Sequence, residues 1–256
     1  MQAKIPSAKL IWNGFLPVTA KVLNSYGDAM RDLLEMTGMV IRSTPVGEYD
    51  KRLVILTRER GKITAFARGA KRPGNSLMGP SRPFAFGQFR LIEGRDSYSL
   101  QSAEISQYFE ELASDIEGAC YGQYFLEFAD YYSRENLDGS AMLLLVYQSL
   151  RALLNQHIPN RLVQCIFELK AMVINGEYTE HPPRTVGDSA NYAWEYVIGA
   201  SIEKLYTFLL TDEVFEEFKR CVEINKGRYV DREFHSLGIL KTLTGEAVAK
   251  SSKTDG

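Results

Sequence analysis

The chain has 256 residues, 45% of them hydrophobic, and a formal net charge of −2, so it can bury one large core or two smaller ones. No apolar run approaches the roughly 20 residues that a membrane span requires. The cysteines Cys120, Cys165 and Cys221 lie far apart without a CxxC partner, as in reduced cytosolic proteins. These features exclude membrane and disulfide-stapled classes and predict a cytoplasmic protein.

The first segment, residues 1–36, shows no clear period before Asp28. Asn13, Gly14 and Pro17 interrupt its only apolar stretch, which argues against a secretory signal. We expect an N-terminal extension that is poorly ordered.

Residues 37–108 predict a small β barrel of the OB type. Met39–Ile41 and Leu53–Leu56 read as strands separated by the turn-rich residues 43–50, and Gly61 is placed for a positive φ in the hairpin that follows. Further strands are predicted at 62–70, 84–93 and 97–105, with a Gly/Pro/Ser-rich loop over 73–83. Gly87 suggests a bulge in the fourth strand.

This barrel carries an unusual excess of positive charge. Between residues 37 and 95 the sequence has twelve Lys or Arg against four Asp or Glu. Because the whole chain is slightly negative, the charge is strongly segregated, and the barrel is suited to meet a polyanion.

The strand Lys62–Arg68 gives the sharpest chemical signal. Alternation places Ile63, Ala65 and Ala67 inward and leaves Lys62, Thr64, Phe66 and Arg68 on the outer face. An exposed ring between cations is typical of a platform on which a nucleic-acid base stacks. Alternatively, Phe66 turns inward at a twist and the charges only solubilise the outer face.

Basic residues continue into the following loop. Alternatively, these loop charges are simply solvated and bind nothing. The candidate DNA-binding residues are therefore Arg58, Arg60, Lys62, Phe66, Arg68, Lys71, Arg72 and Arg82.

After Glu104 the hydrophobic period changes from 2 to 3.6, which predicts an all-helical domain over residues 109–256. The fold class is therefore α+β. Helices are predicted around 121–132, 143–154, 162–173 and 202–209, with Thr211 as the N-cap of a further helix. The Pro-containing segment 176–189 is predicted to be a loop.

No catalytic constellation is found. His157, His181 and His235 have no partner at metal-ligand spacing, and phosphate-loop, nucleophile-elbow and dinucleotide motifs are absent. The sequence predicts no catalytic residues, no metal site and no enzyme activity.

Four short runs resemble the N-terminal domain of the bacterial DNA repair protein family RecO. They are Thr37-Gly38-Met39-Val40-Ile41, Gly47-Glu48-Tyr49-Asp50, Leu56-Thr57-Arg58-Glu59-Arg60-Gly61-Lys62 and Ala67-Arg68-Gly69-Ala70. Phe167-Glu168-Leu169-Lys170 with Gly176-Glu177-Tyr178, and Phe234-His235-Ser236-Leu237, are similar to later family helices.

The resemblance implies a nucleoid-associated recombination mediator rather than an enzyme. Such proteins bind single- and double-stranded DNA, anneal strands, engage the C-terminal tail of single-stranded-DNA-binding protein and, with RecR, help load RecA. Tail binding calls for an apolar groove rimmed by cations, for which Arg151, Arg161 and Lys170 are the nearest candidates. Many members carry two CxxC pairs after the Gly-Tyr exit, whereas residues 177–191 contain no cysteine, so zinc is not expected as a cofactor.

A second hypothesis remains open. The chain could be a protein-interaction scaffold whose basic barrel binds an acidic protein, its contact with DNA being incidental. Preference for an acidic polypeptide over an oligonucleotide at moderate salt would distinguish the scaffold from the mediator.

Overall fold

The computed structural model describes residues 33–243. They divide into two compact units. The first unit holds residues 33–109 together with Ser133–Leu143, and the second holds Glu110–Tyr132 and residues 144–243.

The first unit is a closed five-stranded barrel in the order β1-β2-β3-β5-β4. Its strands are β1 Leu33–Val46, β2 Asp50–Thr57, β3 Gly61–Ala67, β4 Phe86–Glu93 and β5 Tyr98–Gln107. All pairs are antiparallel except the short parallel contact between β3 and β5. The long β1 pairs with β2 and β4, and a register shift between Val40 and Arg42 interrupts its pairing with β2. The predicted α+β class with an N-terminal OB barrel is confirmed.

The start of the barrel differs from the prediction. Residues Leu33 to Met36 are not part of an extension. They are the first four residues of β1 and pair with β4, from Leu33 with Ile92 to Met36 with Phe89. Met36 is buried in the barrel core. The rest of the predicted extension, residues 1–32, lies outside the described residues.

The barrel core follows the strand alternation. Its buried members include Val40, Leu53, Ile55, Ile63 and Leu91, and burial of each such side chain contributes about 1.5–3 kcal/mol. The predicted bulge at Gly87 is confirmed by the register shift between Phe86 and Gly87 against β5.

The segment Ser133–Leu143 belongs to the barrel unit although it follows the first helix in sequence. It lies along the β2–β3 hairpin, where Lys62 N donates to Arg134 O, Asn136 N to Arg60 O and Gly139 N to Arg58 O. Gly61 has a φ of 61°, as predicted for this turn. A Cβ on Gly61 would lie 2.2 Å from Arg134 O, so only glycine allows this close approach.

The second unit is helical, except that the first turn of its second helix, residues 140–143, belongs to the barrel unit. With helices numbered in chain order, α1 is Ile116–Tyr132, α2 Ser140–Leu153, α3 Asn160–Ile174, α4 Asp188–Gly199, α5 Asp212–Tyr229 and α6 His235–Leu243. Short 3-10 helices occupy Glu110–Ser114 and Ile202–Lys204. Phe125 on α1 stacks on Phe167 of α3 with ring centroids 4.2 Å apart, which matches the aromatic face predicted for α1. No helix within residues 33–243 has both the length and the apolar character needed to cross a membrane.

One helix prediction fails in this unit. The stretch 202–209 has an apolar period but contains only the short 3-10 helix Ile202–Lys204. The helix lies earlier, at α4, whose Trp194 is fully buried. Thr211 does precede α5 as predicted, without a side-chain capping bond.

The segment between α3 and α4 is held by side chains from the surrounding helices. Trp194 Nε1 donates to Thr179 O over 3.1 Å, and Asn225 Nδ2 donates to Glu177 O over 3.0 Å. Gly187 N donates to the carboxylate of Glu217 over 3.0 Å. Within residues 33–243 no three His, Cys, Asp or Glu side chains come together as a metal-ligand group.

Candidate nucleic-acid interface

The outer face of β3 has the predicted alternation. Ile63, Ala65 and Ala67 are buried, while the side chains between them are partly exposed. Phe66 is therefore an outward-facing ring rather than a core residue. The strand presents Lys62, Thr64 and Phe66 in that order.

The strand register extends this row sideways across the sheet. Phe66 pairs with Arg52 on β2 and with Ser99 on β5, and Arg52 pairs with Thr44 on β1. Directly opposed residues share one face of a sheet, so the exposed Arg52 lies beside the ring of Phe66. Arg52 was among the twelve cations of the barrel but not among the candidate DNA-binding residues. Its parity opposite to Leu53 and Ile55 was the signal that could have found it.

The two arginines of the β2–β3 hairpin already have carboxylate partners. Arg58 pairs with Glu59 at 3.1 Å. Arg60 donates to Glu93 over 2.8 Å and to the Tyr98 hydroxyl over 2.7 Å, and the Tyr98 bond raises the pKa of Arg60. These side chains would have to exchange or share their partners to contact phosphate.

The basic loop after β3 is fixed by the β1–β2 turn. Gly69 N donates to Asp50 Oδ1 over 2.8 Å, and Lys71 N donates to Tyr49 O over 2.9 Å. The Arg72 guanidinium stacks over the Tyr49 ring at 4.5 Å. Arg68, Lys71 and Arg72 are all exposed, and Arg68 follows directly after the platform strand.

A compact group of cations lies where this loop ends. Lys51 of β2 donates from Nζ to Ser81 Oγ over 3.1 Å. Burial lowers the pKa of Lys51, and repulsion from Arg82 and Lys71 lowers it further. Two predicted site residues, Lys71 and Arg82, therefore lie close enough to Lys51 to lower its pKa; Lys51 was not among the candidate residues.

The three cations predicted for partner binding are not brought together. Arg161 is exposed at the start of α3, pairs with Glu216 and lies 5.3 Å over the Phe215 ring. Arg151, on α2, is half-buried. Lys170 is buried, and its ammonium donates to Val197 O, Ile198 O and Ala200 O. The prediction that Lys170 rims an exposed groove is therefore wrong, because its charge stabilises the end of α4.

The helical unit does contain a groove lined by apolar side chains and by charges of both signs. It has a volume of about 280 Å³ and is lined by Tyr121, Phe215 and Leu240, with Arg161 and Lys219 among its charged residues. At its base, the buried carboxylate Oε1 of Glu168 accepts hydrogen bonds from three side chains, those of Tyr124, Gln164 and Lys226.

Comparison with known proteins bears on both units. Residues 30–109 match the profile described as "Recombination protein O N terminal", and residues 113–180 match "Recombination protein O C terminal". The DNA repair protein RecO of Alkaliphilus metalliredigens is 29% identical over 169 residues, covering 64% of this chain and 67% of the relative. That of Acetivibrio thermocellus is 22% identical over 244 residues, covering 82% and 97%. That of Bacillus pumilus is 32% identical over 144 residues, covering 56% of each chain.

Fold, charged face and matches together define a class: a DNA repair and recombination protein built from an OB barrel and a helical domain. The two profiles cover more than half of the sequence and follow each other in the family's order. The chain belongs to the RecO family.

Proposed function

We propose that this protein is a non-catalytic recombination mediator of the cytoplasm. In this proposal the barrel binds single- and double-stranded DNA and anneals strands. The helical unit receives the tail of single-stranded-DNA-binding protein, and the protein acts with RecR to load RecA. The observation that carries the DNA-binding part is the partly exposed row on β3, in which the Phe66 ring lies beside Arg52 and is followed by Arg68.

This row supplies both interactions that single-strand binding requires, namely stacking on bases and contacts between cations and phosphates. An aromatic ring stacks on any base and contributes about 1–3 kcal/mol for each base. Lys and Arg side chains release counterions from the phosphates, so the observed binding constant falls with salt, with a slope of about −0.7 per phosphate for single strands. The exposed Arg68, Lys71 and Arg72 extend the row into the loop. We therefore propose Lys62, Phe66, Arg68, Lys71 and Arg72 as the DNA-contacting residues of this face, with Arg52 added.

The first experiment measures binding of a fluorescent oligothymidylate across a salt series. Phe66→Ala should weaken binding by about 1–3 kcal/mol, or roughly 5- to 150-fold, whereas Phe66→Tyr should restore it because the ring remains. Arg68→Glu with Lys71→Glu should lower the affinity and flatten the salt dependence. The matched control is charge reversal at the exposed Lys204 of the helical unit, which should change neither.

Unchanged affinity in the Arg68/Lys71 variant would remove the proposed surface. If polyglutamate instead displaces the oligonucleotide at moderate salt, the barrel is a site for an acidic protein and the scaffold hypothesis replaces the mediator.

The groove of α1, α3, α5 and α6 supports the tail-binding part of the proposal. A C-terminal tail that ends in apolar and acidic groups would place its apolar side chains against Tyr121, Phe215 and Leu240 and its carboxylates near Arg161 and Lys219. Because both cations already neighbour acidic side chains, the tail would compete with Glu216 and Glu223 for them.

A labelled tail peptide tests this assignment. Arg161→Glu should abolish most of the peptide binding. The control is Arg220→Glu, because Arg220 is an exposed residue of α5 that does not line the groove; this charge reversal should leave binding unchanged. DNA and tail should bind at the same time. Mutual exclusion would contradict the assignment of the two ligands to different units.

We also propose that the protein works without zinc. The family module with four cysteines is replaced by the loop that Trp194 and Asn225 hold through hydrogen bonds. Treatment with a strong chelator should leave oligonucleotide binding and unfolding unchanged. A loss of either that added zinc restores would contradict this.

A further inference from the structure

A second groove in the helical unit lies between α4 and the segment that leads from Ile202–Lys204 to α5. It has a volume of about 470 Å³ and shares no lining residue with the groove assigned to the tail. Two of its large side chains are strongly exposed, Tyr192 at 68% and Leu209 at 61%. Exposed apolar groups that line one concave surface are typical of a place where another molecule binds.

One wall of this groove is a row of side chains on α4. Asp188, Tyr192 and Tyr196 are four residues apart, so they lie on one face of the helix with about 5–6 Å between neighbouring Cβ atoms. The rings of Tyr192 and Tyr196 are stacked with their centroids 6.3 Å apart. From the other wall, Phe208 meets Tyr196 edge to face at 5.3 Å. The groove therefore presents aromatic rings next to a carboxylate.

Bonds within the helical unit hold both walls in place. The Tyr196 hydroxyl donates to Lys204 O over 3.0 Å and lies 3.0 Å from Thr207 Oγ1. These bonds join α4 to the opposite wall. Because the ring of Tyr196 is already oriented, a ligand that contacts it does not have to order it, which lowers the entropic cost of binding.

The charge of the groove is negative. Asp188 is exposed, and within residues 33–243 it forms no ion pair, whereas Glu195 on the same helix lies 3.8 Å from His181. Residues 110–132 and 144–243, which make up the described helical unit, contain 19 Asp or Glu against 11 Lys or Arg. The field around the groove therefore favours a cationic ligand over an anionic one.

The second wall offers backbone groups as well as side chains. Residues 205–211 are neither α-helix nor strand. Among the residues that the structure describes, the backbone N–H groups of Phe208, Leu209 and Leu210 have no protein acceptor. Such groups can bond the main chain of an extended peptide laid along them, as in strand addition.

We propose that this groove binds an extended segment of a partner protein through one arginine side chain. The guanidinium stacks on the Tyr192 ring and pairs with Asp188, while its aliphatic stem lies against Leu209. A guanidinium is planar, weakly hydrated and able to bond a carboxylate with two N–H groups, so it can make both contacts at once. Asp188 would repel phosphates and an acidic tail. The site therefore serves a third partner, distinct from the two ligands proposed above.

The probe for this site is the peptide acetyl-Gly-Val-Arg-Val-Gly-amide, titrated into the full chain with ¹³C-labelled tyrosine. The ring resonances of Tyr192 and Tyr196 should shift saturably. The same peptide with citrulline in place of arginine keeps the shape without the charge, and it should bind about tenfold more weakly. Equal binding of the two peptides, or no saturable shift at millimolar peptide, would overturn the proposal.

Variants of the two walls locate the contacts. Asp188→Asn should weaken binding of the arginine peptide about tenfold and remove its advantage over the citrulline peptide. Tyr192→Ala should abolish binding, whereas Tyr192→Phe should retain it because the ring remains. The matched control is Glu195→Gln, an exposed carboxylate of α4 that does not line the groove, and it should change nothing. Equal loss in Glu195→Gln and Asp188→Asn would show that only the overall charge matters and would refute the site.

Other occupants of the groove would give different signals, each of which overturns the proposal. If a second copy of the chain binds there, the sedimentation coefficient should rise with concentration for the wild type but not for Leu209→Asp. If residues 1–32 of the same chain bind there, nuclear Overhauser effects should join the Tyr192 ring to the indole of Trp12. Displacement of the arginine peptide by the acidic tail peptide would contradict a separate site.

Discussion

Replacing Lys170 by methionine should destabilise the helical unit. The side chain is only 7% exposed, and its ammonium donates to three carbonyls, Val197 O at 3.1 Å, Ile198 O at 2.8 Å and Ala200 O at 2.7 Å. Because α4 ends at Gly199, the carbonyls of its last turn have no intrahelical donor. Methionine keeps the apolar stem and removes only the charge and the three donors.

The size of the effect follows from the surroundings of each carbonyl. Val197 is fully buried, so its carbonyl would be left unsatisfied at about 1–3 kcal/mol. Ile198 and Ala200 are partly exposed, and water can replace the ammonium there. Loss of a cation at a helix C-terminus costs about 0.3–1 kcal/mol more. Burial lowers the pKa of Lys170, so relief of that desolvation offsets part of the sum. We expect a net loss of about 2 kcal/mol.

Urea unfolding followed by tryptophan fluorescence measures this change. Trp194 lies in α4 and is fully buried, so its emission reports on the element that Lys170 holds. Trp12→Phe, introduced into all variants, leaves Trp194 as the single source of the signal. With a slope of about 2 kcal/mol/M, the midpoint should fall by about 1 M. Lys204→Met, at an exposed position, is the matched control and should stay within about 0.5 kcal/mol.

A midpoint for Lys170→Met within error of that control would refute the reasoning. If Lys170→Met instead binds the tail peptide more weakly while its stability is unchanged, the structural role given to Lys170 is also refuted. In that case Lys170 would serve a partner, as the sequence alone suggested.

Three other changes have defined outcomes. Gly61→Ala should destabilise the barrel by more than 2 kcal/mol, since its φ is 61° and a Cβ would meet Arg134 O at 2.2 Å; an unchanged melting temperature would show that the hairpin relaxes. Trp194→Phe removes the bond to Thr179 O and should cost about 1–3 kcal/mol, with faster amide exchange in the loop that follows Thr179; equal exchange would contradict the role given to that bond. Lys51→Met should be more stable than the wild type at pH 7. Because the pKa of Lys51 is lowered in the folded state, the unfolded state binds more protons than the folded state. The wild type therefore gains stability as the pH rises towards 10.5. The difference should therefore shrink on going from pH 7 to pH 10, and a constant difference would point to packing instead.

Much of the barrel could be predicted because its signals are local. Alternation on β3, the glycine of the hairpin at Gly61 and the bulge at Gly87 each depend on a few neighbouring residues. Leu33 to Met36 were not predicted as strand because their strand conformation depends on pairing with β4, more than fifty residues away. A leader and the first residues of a long strand look alike without that partner.

The helical unit shows the complementary difficulty. Residues 202–209 have an apolar period but contain only a short 3-10 helix. The helix α4 begins at Asp188, at the end of the predicted loop, where no helix was predicted. Lys170 lies within a helical pattern that gives no hint of its three acceptors, which come from residues at least 27 positions away. The cations around Lys51 likewise meet only through the return of the loop to Ser81. Contacts of this kind are set by tertiary packing and have no local period.

The assignment of Ser133–Leu143 to the barrel unit has a consequence for how the protein is made. The β2–β3 hairpin receives backbone bonds from Arg134, Asn136 and Gly139, and these residues follow the whole of α1. On the ribosome, the barrel strands are complete at Gln107, yet the hairpin that carries Arg58 and Arg60 has to wait for a later stretch of chain. A fragment that stops at Phe109 would expose that edge, so the nascent barrel gains its final form only after synthesis has passed Leu143.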